Sequence, residues 1–241
     1  LRRRISPPER SKIPLLKEIQ KILLANSIDC SIDDLIQKRI EIEAQVGSQL
    51  VSQGDDWDCP IDDVIEQLLN EFALKENKSE LKDRLLTTEF NAEKSLLYPE
   101  KGMIEVVRHA LALNKKVVWI SDMYLMKDQI SLLLDHCGYN DLFSNGYVSS
   151  ETKKRKKTGR LYDFVLSDAG VSPEKWIHFG DNFEDDCLMP QKLGGRAYHY
   201  FPKKHRKNVQ TAAKLEKLSQ TNTDWMGATL IMNLQQRFIE E

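Results

Sequence analysis

The sequence is short of several things, and each shortage closes a class of function. It has four cysteines in 241 residues (Cys30, Cys59, Cys137 and Cys187), scattered and without a CxxC pair. That spacing excludes a disulfide framework or a zinc ribbon and fits reduced thiols in a cytoplasmic protein. No apolar run approaches the roughly 18–20 residues that a membrane span needs. Charge of one sign is also missing: 35 Lys and Arg stand against 37 Asp and Glu, a net charge of -2. A global electrostatic pull towards nucleic acid or an anionic membrane is thereby removed. The four tryptophans (Trp57, Trp119, Trp176, Trp225) are too dispersed for an aromatic cage and read as packing residues. The 41% of hydrophobic residues is nevertheless enough for a core. The chain opens on Leu1-Arg2-Arg3-Arg4 with no apolar segment behind it, so this basic start is not expected to be a signal peptide. The expectation is that Leu1 lies within a longer polypeptide.

Three parts follow from the patterning. Up to about residue 98 the periodicity is helical, with no strand pattern before residue 116. A first helix runs to about Leu24, starting at Pro8 or, if Pro14 interrupts it, near Ser11. Ser31 is a good N-cap for a second helix, with Asp33 and Asp34 in its first turn. Pro60 opens a third, and Ser79 or Glu80 a fourth that ends near Leu97. Residues 99–202 then alternate helices with short apolar strands at 117–120, 146–149, 176–179 and 196–201. Alternation of this kind argues for an α/β fold with a parallel, doubly wound sheet, its strands buried on both faces. Residues 203–241 begin with the basic run Lys203-Lys204-His205-Arg206-Lys207 and continue as two helical stretches. The run reads as a solvated surface.

In open α/β sheets, ligands bind at the carboxyl ends of strands. Three such ends carry chemistry. The first holds Ser121 and Asp122, a hydroxyl beside a carboxylate. The second precedes Lys153-Lys154-Arg155-Lys156-Lys157, just before a helix opened by Gly159, where a lysine suits phosphate as a point charge. The third is Gly180-Asp181, followed by Glu184, Asp185 and Asp186; such clustered carboxylates repel unless a cation joins them, and hard oxygens suit Mg²⁺. Each has a plain structural reading too, as turn, solvated charge or favourable helix start. In combination they describe a phosphate-plus-magnesium site.

That order of residues resembles the haloacid dehalogenase-like (HAD) hydrolase superfamily over roughly residues 99–202. Ser121 is similar to its second motif, which binds the phosphoryl group; Lys156, with Lys157 as alternative, to the third; and Gly180-Asp181 with Asp186 to the magnesium-binding fourth. Ser-Asp-Met-Tyr-Leu (121–125), Gly-Arg-Leu-Tyr (159–162) and His-Phe-Gly-Asp-Asn (178–182) resemble more closely the HAD hydrolases found beside or fused to bacterial glycosyltransferases. The resemblance implies a Rossmann-like core from residues 1–13 and 99–202, a helical cap over 14–98 and a helical extension or linker over 203–241. It implies catalytic Ser121, Lys156, Asp181 and Asp186; phosphate binding by Ser121, Asp122 and Lys156; and Mg²⁺ held by Asp181 and Asp186. It also implies an aspartyl-phosphate intermediate, a small phosphorylated substrate such as a sugar phosphate or nucleotide sugar, and a glycosyltransferase domain or neighbouring chain as partner. The family's first motif, DxDxT, with the nucleophilic aspartate, is absent from these 241 residues. It and the central first strand are expected upstream of Leu1 or from a separate chain. A non-catalytic scaffold is the alternative function. A phosphoacceptor receiver domain fits less well, because the helical block is too large for one.

Two further expectations come from spacing alone. Arg39 shares an apolar stripe with Leu35, Ile42 and Val46, and Glu89 shares one with Leu85, Ala92 and Leu96. A charge on an apolar face needs a partner. Arg39 is therefore expected to pair with Glu89, with Glu43 and Glu93 nearby, or else to meet an anionic group of a substrate. His178, inside a strand pattern, reads as a packed, hydrogen-bonded histidine.

Overall fold

The computed structural model describes residues 2–3, 8–72 and 77–200. The expectations for residues 203–241 lie outside them. The chain divides into two compact units, Leu1–Ser172 and Pro173–Glu241.

The first unit opens with a helical block: α1 (Pro8–Ala25), α2 (Ile32–Ser52), α3 (Ile61–Glu71) and α4 (Lys78–Leu96). α2 starts as its sequence signal predicts. The Ser31 hydroxyl accepts the Asp34 N–H at 3.1 Å, and the Asp34 carboxylate accepts the Ser31 N–H at 3.3 Å. α3 opens after Pro60 and buries Ile61, Val64, Ile65, Leu68 and Leu69 along one stripe. α1 differs from the shorter alternative, because it runs from Pro8 straight through Pro14. Proline there forfeits one backbone bond. Leu15, Leu16 and Leu23, each 1% exposed or less, hold the helix on its neighbours. At roughly 1.5–3 kcal/mol per buried leucine, packing outweighs that local loss. α4 begins a residue or two early, capped by Asn77, whose side chain accepts the Ser79 N–H at 3.1 Å.

Two short strands were not legible in the pattern. β1 (Arg2–Arg3) pairs antiparallel with β2 (Leu97–Tyr98), so a strand does occur before residue 116. Two residues are too few to show a period of two.

α5 (Lys101–Ala112) leads into β3 (Val118–Ser121), and α6 (Lys127–His136) into β4 (Asn145–Val148). β3 and β4 pair in parallel, Ser121 opposite Val148. The strand expected over 146–149 ends one residue sooner, because Ser149 already opens a one-turn helix, α7 (Ser149–Thr152). α8 (Arg160–Ala169) follows and stops at Gly170, whose φ of 62° closes the helix in the left-handed region that glycine tolerates. One apolar core links the helical block to α6 through Leu125, Ile130 and Leu133.

The second unit holds β5 (Ile177–Gly180) and β6 (Arg196–His199), again a parallel pair. Between the two strands the chain forms a π-helical turn (Phe183–Leu188) and then α9 (Met189–Lys192), not one continuous helix. Pro190 cannot donate the backbone bond that a continuous helix would need there. Burial of every strand on both faces is not found. Phe179 stacks on Tyr198 at 5.3 Å, yet they are 41% and 54% exposed. The turn after β5 packs instead on the His178 and Gly180 face, where Asp186 meets both. No helix among the described residues is long and apolar enough to cross a membrane.

Candidate functional site

In the first unit, Ser121 closes β3 and Asp122 follows it. The Lys156 N–H donates to both oxygens of the Asp122 carboxylate, at 3.0 and 3.1 Å, and Arg155 Nε donates at 3.4 Å. One carboxylate thus ties the strand end that carries Ser121 to the loop that carries Lys156. Burial pushes the Asp122 carboxyl above its ordinary value, against the pull of Lys156 and Arg155. As an anion turned towards the loop backbone, Asp122 is suited to hold that loop. Lys156 is half-buried, whereas Lys157 is exposed.

The basic loop is a built structure. Lys153 adopts a left-handed conformation (φ 55°), and Lys154 lies over the Phe164 ring at 5.3 Å. A second acid, unnoticed in the sequence, organises the rest. The Asp56 carboxylate, on the loop between α2 and α3, accepts the Arg155 N–H (2.8 Å), the Thr158 hydroxyl (2.6 Å) and Arg160 Nη1 (3.1 Å). The Asp56 N–H in turn donates to the Lys153 carbonyl at 3.0 Å. Burial opposes ionisation of Asp56, but the bonds from Thr158, Arg155 and Arg160 outweigh it and leave its carboxyl below the ordinary range. Beside it the Arg155 guanidinium lies 5.8 Å from the Trp57 ring centre. The only local hint was acidic residues in a glycine loop, a pattern shared with many ordinary turns.

The loop after Ser121 also reaches the interior of the helical block. Tyr124 donates its hydroxyl to Glu93 at 2.5 Å, and its carbonyl accepts the Ile61 N–H at 2.9 Å. Close by in sequence to that partner, Glu89 receives Arg39 through Nη2 (2.8 Å) and Nη1 (3.2 Å), and Glu43 takes Arg39 Nε at 2.8 Å. Lys12 completes the network on Glu43 at 2.7 Å. Of the two expectations for Arg39, the interhelical bridge is the one realised. Burial works against the guanidinium charge, and the two carboxylates overcome it and keep it protonated. Burial, Glu43 and Asp58 push the neighbouring Cys59 thiol up to about 11, so it is no nucleophile near neutrality.

In the second unit β5 ends at Gly180 and Asp181 stands exposed. Asn182 caps the following turn, accepting the Glu184 and Asp185 N–H groups at 3.1 Å each. Asp186 turns inward and is 2% exposed; it accepts the Asn182 N–H at 3.1 Å and lies 3.3 Å from His178 Nε2. His178 is accordingly packed and hydrogen-bonded. A Cβ at position 180 would overlap the Asp186 carboxylate, so glycine is required there.

No cluster of three or more His, Cys, Asp or Glu able to hold a metal occurs among the described residues. Mg²⁺ does not need one. It retains several waters and is bound through one or two carboxylates together with substrate phosphate oxygens. An exposed Asp181, at a strand end and braced by the Asp186–Asn182 contact, suits that mode of binding.

No protein-family model matches the chain, and no curated protein matches it. Solved structures do. A 2-haloacid dehalogenase from Pseudomonas syringae pv. tomato DC3000 aligns over 79% of this chain and 79% of its own, with a TM-score of 0.53 at 16% identity. A HAD family enzyme from Bacteroides thetaiotaomicron aligns over 82% of this chain and 87% of its own, with a TM-score of 0.49 at 15% identity. A magnesium complex of that enzyme gives 0.44 at 16%, over 68% and 84%. The fold is therefore α/β and HAD-like, with parallel strands and a mostly helical chain.

Proposed function

We propose that this chain is the greater part of a Mg²⁺-dependent phosphohydrolase for a small phosphorylated metabolite, a sugar phosphate or nucleotide sugar being the favoured class. The attacking carboxylate comes from outside these 241 residues. The observation that carries the reading is the Asp122 tie. Through the Lys156 backbone N–H it ties the loop that carries Lys156 to the strand end that carries Ser121, which supports a shared role for the two. Ser121 donates to a phosphoryl oxygen, and the Lys156 ammonium neutralises charge on another, both pre-set before the substrate arrives. Asp181 would hold Mg²⁺, an ion that supplies charge neutralisation when bound. Asp186 keeps the Asp181–Asn182 turn in shape. The helical block, as a cap, excludes water from the reacting centre and selects the leaving group.

The test is phosphate release from p-nitrophenyl phosphate and a panel of sugar phosphates by the polypeptide that includes residues upstream of Leu1. Asp181→Asn should abolish the Mg²⁺-dependent rate. Ser121→Ala and Lys156→Ala should each lower kcat/KM by about 10²-fold or more. An Asp181→Asn protein that turns over normally and still responds to Mg²⁺ would end the reading.

A further inference from the structure

The helical block does more than stand beside the basic loop. The segment between α2 and α3 grips it at four points. The Asp56 carboxylate takes the Arg155 N–H, the Thr158 hydroxyl and Arg160 Nη1; the Asp56 N–H holds the Lys153 carbonyl; Arg160 Nη1 also reaches the Gly54 carbonyl at 3.0 Å; and Arg155 Nη1 reaches the Trp57 carbonyl at 3.4 Å. Trp57 is itself seated, since its indole lies so close over Gly47 of α2 that a Cβ there would overlap it. These bonds join positions about a hundred residues apart, and they bracket Lys156 on both sides. Lys156 contributes its own N–H to Asp122, so a few residues of loop are pinned by two carboxylates, one from each part of the unit.

We infer that Asp56 is a positioning residue: from the α2–α3 loop it fixes the conformation of residues 153–160 and thereby the place of the Lys156 ammonium at the phosphate site. The inference rests on the phosphate-binding reading given above. Its physical basis is a matter of competing charges. Five consecutive cations repel one another and would otherwise spread into solvent. Asp56 takes the backbone and the two neighbours, Thr158 and Arg160. Asp122 holds the loop at Arg155 and Lys156, whereas the Asp56 contacts extend from Lys153 to Arg160.

The experiment uses the full chain with inorganic phosphate as the probe. Binding is followed on the ³¹P signal of the added phosphate, a readout that does not depend on the residue replaced. Backbone hydrogen exchange is read on the same samples. Asp56→Ala should weaken phosphate binding by about tenfold, roughly the worth of one charge-assisted contact. It should also remove exchange protection at the Arg155 and Lys156 amides while α2 and α3 remain protected. Asp56→Asn keeps an acceptor for the Arg155 N–H and for Thr158 and should recover most of the affinity, a rescue that a loss of general stability would not show. Lys156→Ala should remove the phosphate response altogether. If Lys156→Ala loses phosphate but Asp56→Ala binds it like the parent, the positioning role is wrong and the phosphate site stands. If phosphate binding is the same in the parent and both variants, the phosphate site itself is wrong, and the inference goes with it.

Discussion

The Arg39 guanidinium meets the Glu89 carboxylate through two parallel hydrogen bonds, at 2.8 and 3.2 Å, and both side chains are 2% exposed or less. A fork-to-fork pair so deep between α2 and α4 fixes the register of the two helices, because neither charge can slide away from the other without standing alone in the core.

Removal of one partner should therefore cost far more than removal of both. Arg39→Ala leaves Glu89 buried and uncompensated, and the expected loss is about 3–5 kcal/mol. A double replacement by apolar residues of similar volume, Arg39→Met with Glu89→Leu, should recover most of it. Urea unfolding of the two single variants and the double variant measures the coupling. A double variant no more stable than either single one would show that the pair is not the unit that matters.

Gly146 in β4 sets local preference against packing. By strand propensity, alanine should stabilise a strand interior by about 0.5–1 kcal/mol over glycine. In the structure an added Cβ would overlap the Trp119 indole on β3. Crowding of this kind costs about 1–3 kcal/mol, so Gly146→Ala is expected to destabilise, with a change in the near-ultraviolet signal of Trp119. Trp119→Phe in the same background should restore part of the loss. The sign of the stability change in the single variant decides between the two effects.

Stability should decline on the acid side, and the sign follows from three groups. Burial opposes ionisation of Glu43, but Lys12 and Arg39 outweigh it, so its carboxyl lies below the ordinary 4.5. Asp56 likewise lies below its ordinary 3.8. A depressed carboxylate contributes stability that is present above its unfolded value and is lost as pH falls through the folded one. Asp122, raised by burial, behaves the other way. Its contribution is complete below 3.8 and is lost as pH rises through its folded value. Unfolding free energy measured in urea from about pH 7 to about pH 3 should thus fall as pH drops below the ordinary glutamate value. Glu43→Gln should flatten that decline. Asp122→Asn, by removal of an opposing group, should steepen it.

What the sequence made legible was local or forced. Ser31 with Asp34, and Pro60 before Ile61, announce helix starts through contacts a few residues long, and the structure uses both. Arg39 and Glu89 were legible across 50 positions because charge on an apolar stripe admits few solutions. Ser121, the basic run 153–157 and Asp181 stand out by the order of strand ends, and the family resemblance picks Lys156 from that run. Asp56 could not. Its partners lie 99–104 residues away, and an acid in a glycine turn has no forced partner. The inward turn of Asp186 was hidden for a related reason: in Glu184-Asp185-Asp186 nothing local says which acid the turn will bury. The exposed Phe179–Tyr198 face shows the same limit, since apolar composition records a preference for burial and not what arrives to cover each face.

The two acids after β5 should separate cleanly by experiment. Asp181 is exposed, so Asp181→Asn should leave stability within about 0.5 kcal/mol of the parent. Asp186 is buried against Gly180, accepts the Asn182 N–H and faces His178. Asp186→Ala strands that N–H and opens space beside the glycine, and the expected loss is about 1–3 kcal/mol. Hydrogen exchange across residues 177–199 localises the effect: faster exchange at Asn182 and along the turn in Asp186→Ala, and an unchanged pattern in Asp181→Asn. Asp186→Asn keeps an oxygen for the Asn182 N–H and should fall between them. If Asp181→Asn were instead the more damaging change, the exposed carboxylate would be a structural group, and its assignment to Mg²⁺ would lose its basis.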